Sequence, residues 1–201
     1  MPARRGAAMG GGIVRVIAGK FRSRRLGSLP GMDLRPTADR LRETLFNVLA
    51  AGNATAFEGK VWLDLCAGTG AVGIEALSRG AAKVYFVESS TAAAGLIRRN
   101  LDSLKVESGF EVVKEDVARA LRQLEARNVI ADFLFLDPPY RLEKIYAQVL
   151  HALSQSPLLA PDAVIVAEHD KRFDPGDRFA PLSRYRKLEQ GDAALSFYRQ
   201  K

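Results

Sequence analysis

The chain of 201 residues, 47% apolar and 26% charged, has the balance of one globular domain with a sizeable core and is too short for two comfortable ones. Its best candidate run, Ile130–Leu136, contains Asp132 and falls well short of the roughly 18 residues of a membrane span, and no secretory-type apolar block follows the basic start. A lone cysteine, Cys66, and two histidines leave neither an internal disulfide nor a zinc set, so a reduced, cytoplasmic protein without a metal is expected.

Residues 1–50 carry ten Lys/Arg against three acids, a difference equal to the whole net charge of +7. A basic N-terminal quarter on a neutral body suggests a docking surface for a polyanion. Residues 1–12, with Arg4-Arg5 and a run of glycines, read as a disordered basic tail. Ile13–Leu26 reads as one or two short strands turning at Gly19 and Gly27, from which Lys20, Arg22 and Arg24 project on one face. Arg25, Arg35 and Arg40 extend the basic run. A helix then opens at Leu34-Arg35-Pro36-Thr37 with Thr37 as N-cap, Asp39 in the first turn and an apolar stripe of Leu41, Leu45, Val48 and Leu49 that stops by Gly52.

From Val61 onward, strand and helix alternate. Strands are expected at Val61–Cys66, Val84–Val87, Phe110–Lys114, Ile130–Leu136 (buried on both faces) and Ala163–Ala167. Helices are expected at Ala71–Ser78, Thr91–Leu104, Val117–Ala126 and Leu142–Leu153. Continuous apolar strands between amphipathic helices imply a parallel sheet covered on both sides. His169–Ser183 is polar and reads as a loop, and Tyr185–Glu189 with Ala193–Tyr198 reads as a hairpin around Gln190-Gly191-Asp192. The organisation is a doubly wound α/β domain over 53–201, ending in an antiparallel hairpin and preceded by a small basic, strand-containing unit over 13–52.

Gly68-Thr69-Gly70-Ala71-Val72-Gly73 matches the dinucleotide fingerprint between a strand and a helix. The motif alone fits NAD and S-adenosylmethionine (SAM) alike. Asp64, four residues upstream in an apolar strand end, offers a carboxylate to an ammonium group, which a methionine moiety has and NAD lacks; capping of the loop amides is its alternative role. Glu88 ends the next strand, where a carboxylate accepts ribose hydroxyls. Asp116 is placed to accept an adenine amino group, to cap the helix beginning at Val117, or both.

Asp137-Pro138-Pro139-Tyr140 follows an apolar strand at the expected carboxyl edge of the sheet. Consecutive prolines remove two backbone donors and leave an acceptor-only pocket. There the Asp137 carboxylate and the Pro138 carbonyl can take both hydrogens of an exocyclic amine, and Tyr140 gives a stacking face. That chemistry fits methyl transfer to the amino group of a nucleobase.

These residues, with Asp64–Gly73, resemble the class I SAM-dependent methyltransferases that modify amino nitrogens. Leu34-Arg35-Pro36-Thr37, Arg40 and Arg42-Glu43-Thr44-Leu45-Phe46-Asn47, with Arg15–Arg22 and Ala76–Ala81, are similar to the RsmD family, which methylates guanine N2 in 16S ribosomal RNA. The resemblance implies a mainly parallel, seven-stranded, Rossmann-like sheet and SAM as cofactor. It also implies ribosomal RNA or a partly assembled small subunit as partner, and a monomer. Thr37, Asp64, Cys66, Gly68, Gly70, Glu88, Ser89, Asp116, Val117 and Asp137 would then bind SAM. Asp137, Pro138, Pro139 and Tyr140 would hold the guanine, and Lys20, Arg22, Arg24, Arg25, Arg35 and Arg40 the RNA.

Other residues carry weaker signals. Cys66 lies under the glycine loop and reads as packing rather than a nucleophile; His151 and His169 lack partners at ligand spacing and read as surface or cap residues. Glu168, ending a strand, either lines the cleft or is solvated. The rival activities are adenine-N6 methylation through the same clamp, NAD-dependent oxidoreduction, and RNA binding without catalysis.

Overall fold

The computed structural model describes residues 14–29, 36–139 and 142–201. The N-terminal tail, Arg35, Tyr140 and the side chain of Thr37 lie outside the described residues.

The chain opens with β1 (Val14–Arg15) and β2 (Arg25–Leu26), paired antiparallel with Val14 opposite Leu26. Between them lies a short 3-10 turn, Gly19–Phe21, so Lys20, Arg22 and Arg24 do not alternate along a strand. Tertiary hydrogen bonds explain the difference. The Glu75 carboxylate accepts the amides of Ile17 and Ala18 at 2.7 and 2.9 Å, and Ser78 Oγ accepts that of Phe21 at 2.9 Å. Gly19 sits at φ +78°, where a Cβ would collide with the Ser78 carbonyl.

The helix α1 (Pro36–Ala50) starts at Pro36, one residue before the expected N-cap, so Thr37 lies inside the first turn; proline suits that position because its missing N–H has no helical acceptor there. Then follow β3 (Val61–Leu65), α2 (Ala71–Ser78), β4 (Lys83–Val87), α3 (Thr91–Ser103), β5 (Phe110–Val113), α4 (Val117–Ala126), β6 (Ala131–Leu136), α5 (Glu143–Ser154) and β7 (Leu159–Asp170). The chain closes with β8 (Arg178–Phe179), β9 (Leu182–Gln190) and β10 (Ala193–Gln200).

One sheet of eight strands runs β5-β4-β3-β6-β7-β10-β9-β8, parallel from β5 to β7 and antiparallel beyond. The eighth strand, beyond the expected seven, is the two-residue β8 against β9. It lies in the stretch expected to be a loop, into which β7 also extends because His169 and Asp170 pair with Ala194 and Ala193. His169 is fully buried, not a surface residue, with Nε2 2.9 Å from Ser196 Oγ. Ile130 stands outside β6 and is half exposed.

Alternation along the parallel strands builds two cores. Trp62, Phe86, Phe135 and Val166 face α1, α2, α3 and the N-terminal hairpin; Leu63, Val87, Leu134 and Ile165 face α4 and α5. On the first face Phe46 of α1 stacks on Trp62, and Trp62 on Phe133, each at 5.2 Å.

Candidate active site at the carboxyl ends of the parallel strands

The face that carries Trp62, Phe86, Phe135 and Val166 ends in acids. Two residues further along each strand stand Asp64, Glu88, Asp137 and Glu168, so four adjacent strands present a row in the order Glu88, Asp64, Asp137, Glu168. Register fixes their level. Leu65 pairs with Val87 and Leu136, and Leu136 with Ala167, which sets Glu88, Asp137 and Glu168 side by side just past the pairs and Asp64 lower.

The glycine loop folds over this row. Gly68 and Gly70 take φ of +55° and +77°, and at Gly73 a Cβ would run into the Phe86 ring, so glycine there lets α2 press onto β4. Asp64 is 2% exposed and its Oδ2 accepts the Gly73 amide at 2.9 Å. Loop capping, the alternative role read from sequence, is thus present, and it uses one of the two carboxylate oxygens. Glu88 accepts from Gly68 N at 2.9 Å and from Ser90 N at 2.7 Å, one bond to each oxygen, and retains lone pairs on both. Asp116 caps α4 by accepting from Arg119 N at 3.0 Å; its side chain and that of Ser89 are exposed, and Val117 is half-buried.

Crowding of carboxylates in a buried place sets the electrostatics. Burial, then the charges of Asp137 and Glu88, push Asp64 up to about 8 against the pull of the Gly73 amide. Burial pushes Asp137 up to about 7. Glu168 is also raised, by burial and then by Asp137, with the Arg42 guanidinium opposing. Burial and the three neighbouring carboxylates push the Cys66 thiol up to about 12, which removes it as a nucleophile near neutrality.

Such a site fits a cationic ligand. The sulfonium and ammonium of SAM would relieve the mutual repulsion of the acids. A pyrophosphate would meet that repulsion and would find the loop amides of Gly68 and Gly73 already engaged by Glu88 and Asp64. Asp64, Glu88 and the glycine loop therefore fit SAM better than NAD.

At the end of β6, Asp137 N donates to Leu65 O at 3.3 Å, Pro138 is buried and Pro139 is exposed. The Pro139 carbonyl is taken by Leu142 N at 2.8 Å, whereas among the described residues no donor reaches the Pro138 carbonyl or the Asp137 carboxylate. That arrangement is compatible with the acceptor-only pocket expected from the paired prolines. A pocket of about 460 Å³ lies between α5 and the segment after β7, lined by Glu143, Tyr146, Asp170, Arg172, Phe173 and Asp174.

The basic residues form a separate surface. Lys20, Arg22, Arg24 and Arg25 are exposed on a hairpin seated against α2 and α3, where Arg24 Nη2 donates to Ser103 O at 2.9 Å, and Arg40 is exposed on α1. Two residues that join this surface to the site escaped the sequence reading. Asn100 accepts from Gly27 N at 2.7 Å and donates to Gly27 O and Thr69 O at 3.2 and 3.0 Å, linking hairpin, α3 and glycine loop. Glu75, 0% exposed, grips Ile17 and Ala18; an acid inside the otherwise apolar Ala71–Leu77 was the signal for it.

The family model described as Conserved hypothetical protein 95 matches residues 14–199. Ribosomal RNA small subunit methyltransferase D of Haemophilus influenzae is 38% identical over 161 residues, 80% of each chain. Its Escherichia coli K12 counterpart is 34% identical over 189 residues, 94% of this chain and 91% of that one. Among solved structures, Escherichia coli yhhF superposes with a TM-score of 0.78 at 31% identity, covering 94% of this chain and 99% of that chain. Haemophilus influenzae HI0767 gives 0.74 at 32% identity over 94% and 99%. Similar along nearly all of its described length, the chain belongs to the Conserved hypothetical protein 95 family, that of ribosomal RNA small subunit methyltransferase D.

Proposed function

We propose that this protein transfers a methyl group from SAM to the exocyclic N2 of a guanosine in 16S ribosomal RNA, giving N2-methylguanosine and S-adenosylhomocysteine. Membership of a family that includes ribosomal RNA small subunit methyltransferases supports the cofactor and the class of substrate. The observation that carries the reading is the end of β6, where among the described residues no donor reaches the Asp137 carboxylate or the Pro138 carbonyl, beside a glycine loop held by Asp64 and Glu88.

SAM, when bound, supplies an electrophilic methyl carbon. Asp64 would accept from its ammonium group, Glu88 from its ribose hydroxyls and Asp116 from its adenine amino group. The guanine amine is conjugated with its ring and nearly non-basic. Asp137 and the Pro138 carbonyl take its two hydrogens, which turns the lone pair away from the ring and favours a pyramidal nitrogen in the transition state. The proton lost from nitrogen passes to Asp137, whose burial raises its carboxyl above the ordinary range and so makes it a better proton acceptor. Pairing and stacking hide this amine in a duplex, so the target guanosine is unpaired or flipped out. Exposed Lys20, Arg22, Arg24, Arg25 and Arg40 are suited to backbone phosphates. The substrate is bare ribosomal RNA or a partly assembled small subunit, the setting the cytoplasm, and the working form a monomer.

Reaction of the protein with methyl-labelled SAM and ribosomal RNA, small-subunit particles or DNA, followed by nucleoside analysis, tests this. Label is expected in N2-methylguanosine. Label in N6-methyladenosine, or binding of NADH in place of SAM, would overturn the assignment.

A further inference from the structure

The clamp at Asp137 and Pro138 engages only the N2 hydrogens. A flipped guanine also carries an N1–H donor and an O6 acceptor into the site, and buried polar groups of this kind need partners. Resting on the guanosine reading above, we propose that Glu168 accepts from guanine N1–H and that Arg42 Nε donates to O6, so that these two residues set the choice of base.

Three observations converge on this pair. First, the pairing of Leu136 with Ala167 makes Asp137 and Glu168 neighbours on adjacent parallel strands, one strand spacing of ~4.8 Å apart, on the face that carries Phe135 and Val166. Second, no described residue donates a hydrogen bond to either carboxylate, although both are largely withdrawn from solvent and the charge of Asp137 adds to the cost of ionising Glu168. Two neighbouring acids that no described residue supplies with a donor are suited to a ligand edge with adjacent N–H groups. The position of Glu168 is also fixed, since its carbonyl accepts from Tyr146 Oη at 2.7 Å and its backbone pairs with Leu195 of β10.

Third, Arg42 is 7% exposed on the side of α1 that covers this face, between the buried Leu41 and Leu45. Its Nη2 donates to Arg15 O at 2.6 Å and to Asp39 Oδ1 at 2.9 Å, which anchors the guanidinium. Its Nε is buried with no partner, and its charge acts on Glu168. A buried N–H without an acceptor costs about 1–3 kcal/mol, which an incoming carbonyl oxygen would recover.

Donor, acceptor, acceptor (Arg42, Glu168, Asp137) complements the Watson–Crick edge of guanine read as O6, N1–H, N2–H. Adenine presents an amine, a bare N1 lone pair and a C–H. It would set its lone pair against the Glu168 carboxylate and leave Arg42 facing a donor. Mispaired buried groups of this kind discriminate far more strongly than a shape difference does.

The test replaces the mapped target guanosine by 2,6-diaminopurine riboside, which keeps the N2 amine but exchanges O6 for an amine and N1–H for a lone pair. Wild-type protein is expected to favour guanosine by at least ~100-fold in kcat/KM. Glu168→Gln, nearly isosteric and able to donate its carboxamide N–H to the N1 lone pair, should narrow that ratio to within ~10-fold. Arg42→Lys should lower kcat/KM for guanosine more than for the analogue. A structural role would move both substrates together, so an unchanged ratio in both variants, with guanosine N2 still methylated, overturns the inference alone. Failure of the wild type to methylate guanosine N2 overturns the parent reading with it.

Discussion

The carboxylate of Asp64 accepts the amide of Gly73 at 2.9 Å, so a buried acid on β3 ties down the first turn of the helix that follows the glycine loop. Asp64 shares its face with Glu88, Asp137 and Glu168. The cost of that crowding falls on the ligand-free protein, and a cationic ligand bound there would relieve it.

This relationship has a pH signature. Asp64 and Asp137 are raised from 3.8 to about 8 and about 7 in the folded chain. The folded state therefore binds more protons than the unfolded state across that window, and the stability these groups contribute falls as pH rises through it. Thermal unfolding should show a midpoint that drops between pH 5 and pH 8, less steeply in Asp137→Asn. Calorimetry should show the opposite trend for SAM, with affinity tightening from pH 6 to pH 8 as the acids ionise. A SAM affinity that weakens with rising pH would contradict this electrostatic account.

Asn100 links the basic hairpin to the glycine loop through Gly27 and Thr69. Asn100→Ala leaves the Gly27 amide and the Thr69 carbonyl without their partner, and should cost about 1–3 kcal/mol in urea unfolding. Gly19→Ala, whose Cβ would strike the Ser78 carbonyl, should loosen the hairpin and speed proteolysis within residues 14–29 while the sheet stays intact. Equal protection in the variant and the wild type would count against this docking.

If Lys20, Arg22 and Arg25 contact RNA phosphates, replacing all three with alanine should flatten the log–log dependence of RNA affinity on salt. The expected loss of slope is about 0.7–0.9 for each phosphate contact removed. An unchanged slope would place the RNA elsewhere.

Phe46 of α1 is fully buried and stacks on Trp62 at 5.2 Å. Phe46→Ala should destabilise the protein by about 3–5 kcal/mol in chemical unfolding, the range for aromatic truncation in a packed core. A loss below about 1 kcal/mol would mean that α1 contributes little to the fold.

Much of the architecture is legible in sequence because an apolar period and its interruptions suffice locally. Ala71–Ser78 and Val117–Ala126 are helices with the expected limits, and the strands from β3 to β6 differ only at their ends. Errors arise where distant partners decide. Strand alternation suits Lys20–Arg24 until Glu75 and Ser78, more than fifty positions away, capture the backbone. The polar His169 and Asp170 look like a loop until β10 pairs with them. In the site, acids at strand ends announce themselves, as do glycines and paired prolines. Arg42 and Asn100 do not, because a single polar residue on a helix looks the same from sequence whether it meets solvent or a neighbouring segment.

The central claim is that Asp137 acts on the amine in the transition state rather than on the cofactor. Single-turnover methyl transfer by Asp137→Ala, at saturating SAM and RNA, tests it most directly. The rate should fall by about 1,000-fold while the SAM dissociation constant changes by less than about threefold. A rate within about tenfold of wild type, or a loss of SAM affinity as large as the loss of rate, would contradict the account.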